Sequence, residues 1–508
     1  MTDITLEKKG GQTEQEMDSQ SVDHGAVERL QAEQFSPEAE RRLVRKIDFM
    51  ILPIMIVAYL LAFLDKQTLS YSALMGITED LHLVGTQYSW SSGIFYFGYL
   101  FFSYPASLLM VKFPLGKYLA VNFMLWAIVL ACHAATKNFA TFMVTRFFLG
   151  CTEASLSPGF TLLTSLWYRR SEQPLRAGIW FCGNSLSSVF GNLIAAGIIH
   201  INSKLASWQW LFIIFGIITF LFGIVMLLRL PDSPTDAKFL TEEERIIAVE
   251  RLKDNQAGFK NNEIDRGQIL EAFKDVQTWL LAILIFAANI ANGGFTTFNG
   301  LILEGFGFDL FDTLLLGLPG GVICLQTNEE GDANESLRGY IPSRVKGSRC
   351  IVMAVMFLIS ILGSSLVYAG KNTASRYAGL LLMGVYSAAM PVSMAIISSN
   401  VGGFTKRATV SAIYFIMYCA GNIVGPQLFF ARQAPRYQSG FLAIIICLVA
   451  CVAISIIMLF YLRWENSRRD KQGVSGDSAT NGTESKPVEQ GELLDITDRQ
   501  NKKFRYAY

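Results

Sequence analysis

The feature that most restricts this chain is a succession of long apolar runs, because a backbone in hydrocarbon finds no water and must close its hydrogen bonds within helices. Spans are expected over residues 49–75, 88–111, 117–136, 139–166, 177–201 and 210–230, then over 276–303, 313–325, 350–369, 377–399, 407–431 and 438–462. All but one reach the roughly 20 residues that cross a bilayer as a helix. A chain of 508 residues with 51% apolar and 17% charged residues fits an all-α polytopic membrane protein. The exception is the eighth run, which turns polar at Gln326. Its apolar part, Leu314–Leu325, would rise only about 18 Å as a helix, against a hydrocarbon core of about 30 Å. Helix eight is therefore expected to be truncated or interrupted. Residues 326–338 read as an atypical insert from a misread splice boundary or a variant transcript, and Asn334-Glu-Ser336 within them is a glycosylation acceptor.

Cations orient the spans. Arg41, Arg42, Arg45 and Lys46 precede the first run, and Lys112, Lys117, Arg169, Arg170, Arg176, Arg344, Lys346, Arg349, Lys406, Arg407, Arg463, Arg468 and Arg469 fall on the same side, which is cytoplasmic if the positive-inside rule holds. Both termini then face the cytoplasm. The start of the chain lacks an apolar signal core, so the first span is expected to direct insertion itself. The division that follows is a disordered N-tail at 1–40, a six-helix bundle at 41–230, a cytoplasmic loop at 231–275, a second six-helix bundle at 276–464 and a cytoplasmic C-tail at 465–508. In the loop, Thr241-Glu-Glu-Glu244 has the pattern of a capping box. No Cys-x-x-Cys pair occurs among the eight cysteines, so neither a disulfide framework nor a zinc site is indicated.

Two charges lie deep in the fourth run. Arg146 and Glu153 are seven residues apart, which places them on one helix face, and charges at such depth face a bundle interior or a wet cavity. Asp65 and Lys66 interrupt the outer half of the first run in the same way. The halves also echo each other: Arg176 precedes a span holding Gly191-Asn192, and Arg407 precedes one holding Gly421-Asn422. Six plus six helices around a midplane site is the architecture of a major facilitator transporter, with 12 helices as pseudo-repeats. Gly183, Ser187, Gly191 and Ala195, like Gly421 and Gly425, recur at four-residue spacing and are expected to serve close helix packing.

The segments Phe63-Leu-Asp-Lys-Gln-Thr-Leu-Ser-Tyr71, Gln87-Tyr-Ser-Trp90, Ile94-Phe-Tyr-Phe-Gly-Tyr99, Pro114-Leu-Gly-Lys-Tyr118, Arg146-Phe-Phe-Leu-Gly with Glu153, Pro231-Asp-Ser-Pro234, Asn400-Val-Gly-Gly with Thr405-Lys-Arg407, and Gly421-Asn-Ile-Val-Gly-Pro426 resemble the fungal allantoate permease family. That family belongs to the anion:cation symporter branch of the major facilitator superfamily. The likeness covers about residues 41–465, and Asp495-Ile-Thr-Asp with Phe504-Arg-Tyr in the tail fits it too. The resemblance implies proton-coupled uptake of a small organic anion, with the proton as coupling ion, no other cofactor and a monomeric carrier in the plasma membrane. It also implies that Asp65 and Glu153 hold the proton, since acidic positions in helices one and four do so in this branch. The proton occupancy of such acids responds to burial and to nearby cations, here Lys66 and Arg146 as charge partners or anion ligands. Where relatives commonly carry Arg after the first acid, this chain has Lys66, a point charge without a bidentate fork.

Neutral groups are the expected selectors of substrate: Tyr96 and Tyr99 on helix two, Asn292, Thr296 and Asn299 on helix seven, and Asn400 and Asn422 further on. Donors and acceptors of this kind suit an allantoate-like ureido or amide carboxylate. His133 and His200, near outer span ends, read as interfacial residues without a relay role. An efflux antiporter of the same fold is the alternative, disfavoured because residues 183–197 lack a Gly-x-x-x-Gly-Pro motif. A non-transporting sensor is a second alternative. No nucleophile, metal cluster or Gly-rich phosphate loop suggests an enzyme, and a net charge of +1 gives no sign of a nucleic-acid partner.

Overall fold

The computed structural model describes residues 37–169, 172–252, 265–319, 348–477, 496–501 and 504–508. Its elements are helices: α1 Pro37–Leu74, α2 Gln87–Lys112, α3 Leu115–Cys132, α4 Phe139–Glu153, α5 Leu156–Trp167, α6 Gln173–Phe181, α7 Gly183–Ile198 and α8 Ser207–Arg229. After the loop helices α9 Glu242–Glu250 and α10 Arg266–Lys274 come α11 Val276–Glu304, α12 Leu310–Leu316, α13 Arg349–Ala369, α14 Thr373–Met383, α15 Ala389–Asn400, α16 Phe404–Gln427 and α17 Gln438–Asp477. Among the described residues ten helices are long and apolar enough to cross a membrane.

Three expected spans are interrupted: the fifth at Cys182, between α6 and α7, and the fourth and tenth at breaks that proline accounts for. The fourth breaks between α4 and α5. Pro158 has no N–H for the Ala154 carbonyl, and its ring crowds that carbonyl. In the tenth span Pro391 follows a 3-10 stretch, Gly384–Ala388, that separates α14 from α15. The insert expected at 326–338 lies outside the described residues, and only Leu310–Leu316 represents the start of helix eight.

Helices pair within each half before the halves meet. In the first half α3 packs on α8, α2 on α4 and α1 on α7; in the second, α11 packs on α16 and α13 on α17. Close approach is possible because small residues stand at the crossings. A Cβ on Gly421 would come within 2.5 Å of the Phe286 carbonyl oxygen, and one on Gly183 within 2.6 Å of the Ile56 carbonyl oxygen. The halves join along α2 and α16, α1 and α11, and α7 and α12. Where they join at the end away from Pro37, polar bonds seal them. Tyr88 donates to the Thr297 carbonyl (2.7 Å), Thr297 to Ser92 (2.9 Å), and the Gly300 N–H to Ser70 (3.0 Å).

The loop helix α9 starts where the sequence places it. Thr241 accepts from the Glu244 backbone N–H and Glu244 reaches back to the Thr241 N–H, the reciprocal pair of a capping box. His133 departs from its expected interfacial position: it is fully buried, stacked on Phe212 with centroids 4.9 Å apart and edge-on to Phe142. The aromatic packing between α3 and α8 draws it inward. His200 is exposed and meets Phe311 edge-on.

Candidate functional site

One ion pair forms among the described intramembrane charges, and it runs between helices, not along one. Lys66 Nζ on α1 stands 2.6 Å from Glu153 Oε1 on α4, with the lysine side chain 23% exposed and the glutamate 3% exposed. The second carboxylate oxygen, Oε2, is buried without a hydrogen-bond partner. Arg146, the other expected charge partner, forms no ion pair among the described residues, and its Nη1 is buried without a hydrogen-bond partner. Its Nε donates to the Ser91 carbonyl (3.1 Å). Neighbours along α1 point about 100° apart, so Asp65 and Lys66 serve different partners. Asp65 is fully buried, accepts from Trp126 Nε1 at 2.7 Å and has Thr68 within 3.4 Å.

Aromatic rings enclose the lysine. The Phe95 and Tyr99 rings each lie 5.9 Å from Lys66 Nζ, within cation–π range. Across the junction of the halves Tyr96 faces Tyr418 (6.1 Å) and Tyr99 faces Phe415 (5.4 Å). Glycines again permit this: Cβ atoms on Gly98 and Gly150 would overlap the Phe147 and Phe95 carbonyl oxygens, so α2 lies directly on α4 beside Glu153. The pair thus sits where the two bundles touch.

A second polar cluster belongs to the second half. Asn422 Nδ2 donates to Asn289 Oδ1 (3.0 Å) and to the Tyr418 carbonyl (2.9 Å), Asn292 Nδ2 donates to Asn422 Oδ1 (2.9 Å), and Tyr386 donates to Asn292 Oδ1 (2.9 Å). Both N–H groups of Asn422 are therefore used, while Asn289 and Asn292 each keep one. Asn289, Asn292, Tyr386, Ser387 and Ser393 line a cavity within the second bundle, apart from the Lys66–Glu153 pair.

The structure thus gathers Lys66, Glu153, Tyr96 and Tyr99 in one place and Asn292 with Asn422 in another. Asn299 lies outside both clusters, its Oδ1 buried without a partner, and Thr296 bonds its own helix at the Asn292 carbonyl. Asn400 goes elsewhere: both its amide atoms hold the main chain of Ala507, each at 2.8 Å, so it faces the C-terminal segment and not the other asparagines. Residues not singled out from sequence are Trp126, Asn289, Tyr386 and Tyr418. Asn289 was findable, since it continues the 292 and 296 stripe at helical spacing. Tyr386 was not, because the 3-10 stretch sets its direction. No group of metal-ligating side chains that could hold an ion occurs among the described residues.

Comparison with known proteins agrees with this fold. Residues 55–426 match the model of the Major Facilitator Superfamily. The chain is 40% identical to an uncharacterized transporter of Schizosaccharomyces pombe over 94% of its own length and 91% of the relative's. It is 38% identical to the allantoate permease of Saccharomyces cerevisiae over 93% of this chain and 87% of that one. Among solved structures, a bacterial homolog of the human lysosomal transporter Spinster, inward-facing and unoccupied, superposes with a TM-score of 0.60 at 16% identity, over 80% of this chain and 95% of that one.

Proposed function

Because this chain belongs to the Major Facilitator Superfamily, and within it to the fungal allantoate permease family, it is a multi-pass membrane transporter and not an enzyme, and we propose that it carries a small organic anion inward together with a proton. The observation that supports this most is the Lys66–Glu153 pair, with one glutamate oxygen left unpartnered. Empty, the pair is neutral. When the carboxylate of an entering anion takes Lys66, Glu153 loses its counter-charge in a place where a bare charge is costly. A proton on Glu153 restores neutrality. The empty and doubly loaded carriers are thus uncharged at this point, whereas carriers holding anion alone or proton alone bear a net charge and cross slowly. Coupling follows from that difference.

Asp65 is assigned as the second proton-holding acid, with Trp126 fixing its orientation and Arg146 as a further charge partner of the site. Tyr96 and Tyr99 wall the anion site. Asn292 supplies the contact for a ureido or amide group and Asn422 holds Asn292 in position. With cytoplasmic termini, the end sealed by Tyr88 and Thr297 is the external one. We assign a monomer in the plasma membrane. The test is uptake of labelled allantoate and simpler carboxylates at two external pH values. Accumulation that rises with the inward proton gradient supports the reading, and accumulation indifferent to it refutes it.

A further inference from the structure

Residues Ile496–Asn501 and Phe504–Tyr508 are fastened to the termini-side end of the second bundle by side chains buried for that purpose. Lys406, fully buried at the start of α16, holds Glu271 (2.9 Å), Asp275 (2.8 Å) and Asp498 (2.7 Å). Asp498 Oδ1 also accepts from the Gly402 N–H (3.1 Å), and its Oδ2 from the Tyr506 hydroxyl (2.6 Å), which in turn accepts from Arg469 (2.7 Å). Asn466 grips the main chain of Tyr506 through both amide atoms, each at 2.9 Å, as Asn400 grips Ala507. The crossing also explains Gly402: a Cβ there would stand 2.5 Å from the Asp498 backbone nitrogen.

The first bundle closes in the same manner, with the buried cation on the segment after the last span instead of on the turn between the fourth and fifth. Arg251, just after α9, pairs with Glu172 (2.6 Å) before α6 and with Glu40 (3.3 Å) at the start of α1. In each half, the segment after the last span, the segment before the first and the turn between the fourth and fifth meet at one buried cation. The C-terminal segment is thus the counterpart of the loop helix α9, not an appendage.

We propose that residues 496–508 are an intramolecular brace that ties α11 to α16, the helices bearing Asn292 and Asn422, so that the second bundle moves as one body during transport. All the contacts named for it lie within that bundle. A brake would instead bind one half to the other.

The proposal is tested by deleting residues 496–508 and, separately, by Gly402→Ala, which lifts the segment without altering a charge. Hydrogen exchange at residues 268–280 and 402–410 is read in purified carrier, and labelled allantoate serves as the transport probe in proteoliposomes. Both variants are expected to exchange about tenfold faster in these stretches and to lose roughly tenfold in maximal uptake with KM unchanged. A synthetic peptide spanning 496–508 restores the deletion variant. Exchange and uptake equal to those of the full chain overturn the brace, and so does a deletion that transports faster. If the deletion variant does not fold, Gly402→Ala and Tyr506→Phe decide by the exchange readout. That readout needs no substrate, so failure of the allantoate probe in the full chain counts against the substrate reading alone.

Discussion

Trp126 Nε1 donates to Asp65 Oδ2 at 2.7 Å, joining α3 to the acid of α1 inside the first bundle. A hydrogen bond to a charged group contributes about 1.5–3 kcal/mol. Trp126→Phe keeps the ring and loses the donor. It is expected to cut proton-driven accumulation by about tenfold and to displace the pH profile of uptake, which a purely packing role would leave in place.

The Lys66–Glu153 pair gives a double-mutant cycle. Lys66→Gln strands a glutamate that is 3% exposed, and stranding one member of a buried pair costs about 3–5 kcal/mol. Lys66→Gln alone is expected to lower the thermal unfolding midpoint of the purified carrier, and Lys66→Gln with Glu153→Gln to recover most of the loss. Additive losses would show that the two do not interact.

The crossing of α2 and α4 permits a packing test. A Cβ on Gly150 overlaps the Phe95 carbonyl oxygen, whereas nothing lies within 4 Å of one on Gly197. Gly150→Ala is expected to destabilise the first bundle by on the order of 2–3 kcal/mol and to abolish uptake, with Gly197→Ala close to the unmodified chain. Thermal stability and uptake in parallel check both.

Much of this was legible in the chain because hydrocarbon imposes simple rules. Span lengths, the capping box at Thr241 and the depth of Arg146 and Glu153 follow from composition and period. Partner choice does not. Which acid meets which cation depends on how α1, α2 and α4 pack, and the α2–α4 crossing rests on glycines 98 and 150, whose sequence context says only that they are small. Asn400 shows the same limit: a buried asparagine near a span end offers the same donors to a substrate as to the backbone of Ala507, and only the docked segment decides.

Outside the membrane, Glu244 accepts from Lys46 Nζ (2.5 Å) and the Thr241 N–H (2.9 Å). Partial burial raises its carboxyl, but those donors prevail and hold it below its ordinary value of 4.5. A lowered acid stabilises above its unfolded pKa and ceases to as the pH falls through the folded one. The capped turn of α9 is expected to loosen only as the pH falls below the ordinary glutamate range, and Glu244→Gln to remove that dependence; hydrogen exchange over residues 242–250 reports it.

The most direct test of coupling is Glu153→Gln in proteoliposomes, with pH-gradient-driven accumulation and substrate counterflow measured in the same vesicles. Counterflow that persists while accumulation above equilibrium disappears is the predicted result. Accumulation equal to that of the unmodified carrier would contradict a coupling role for Glu153.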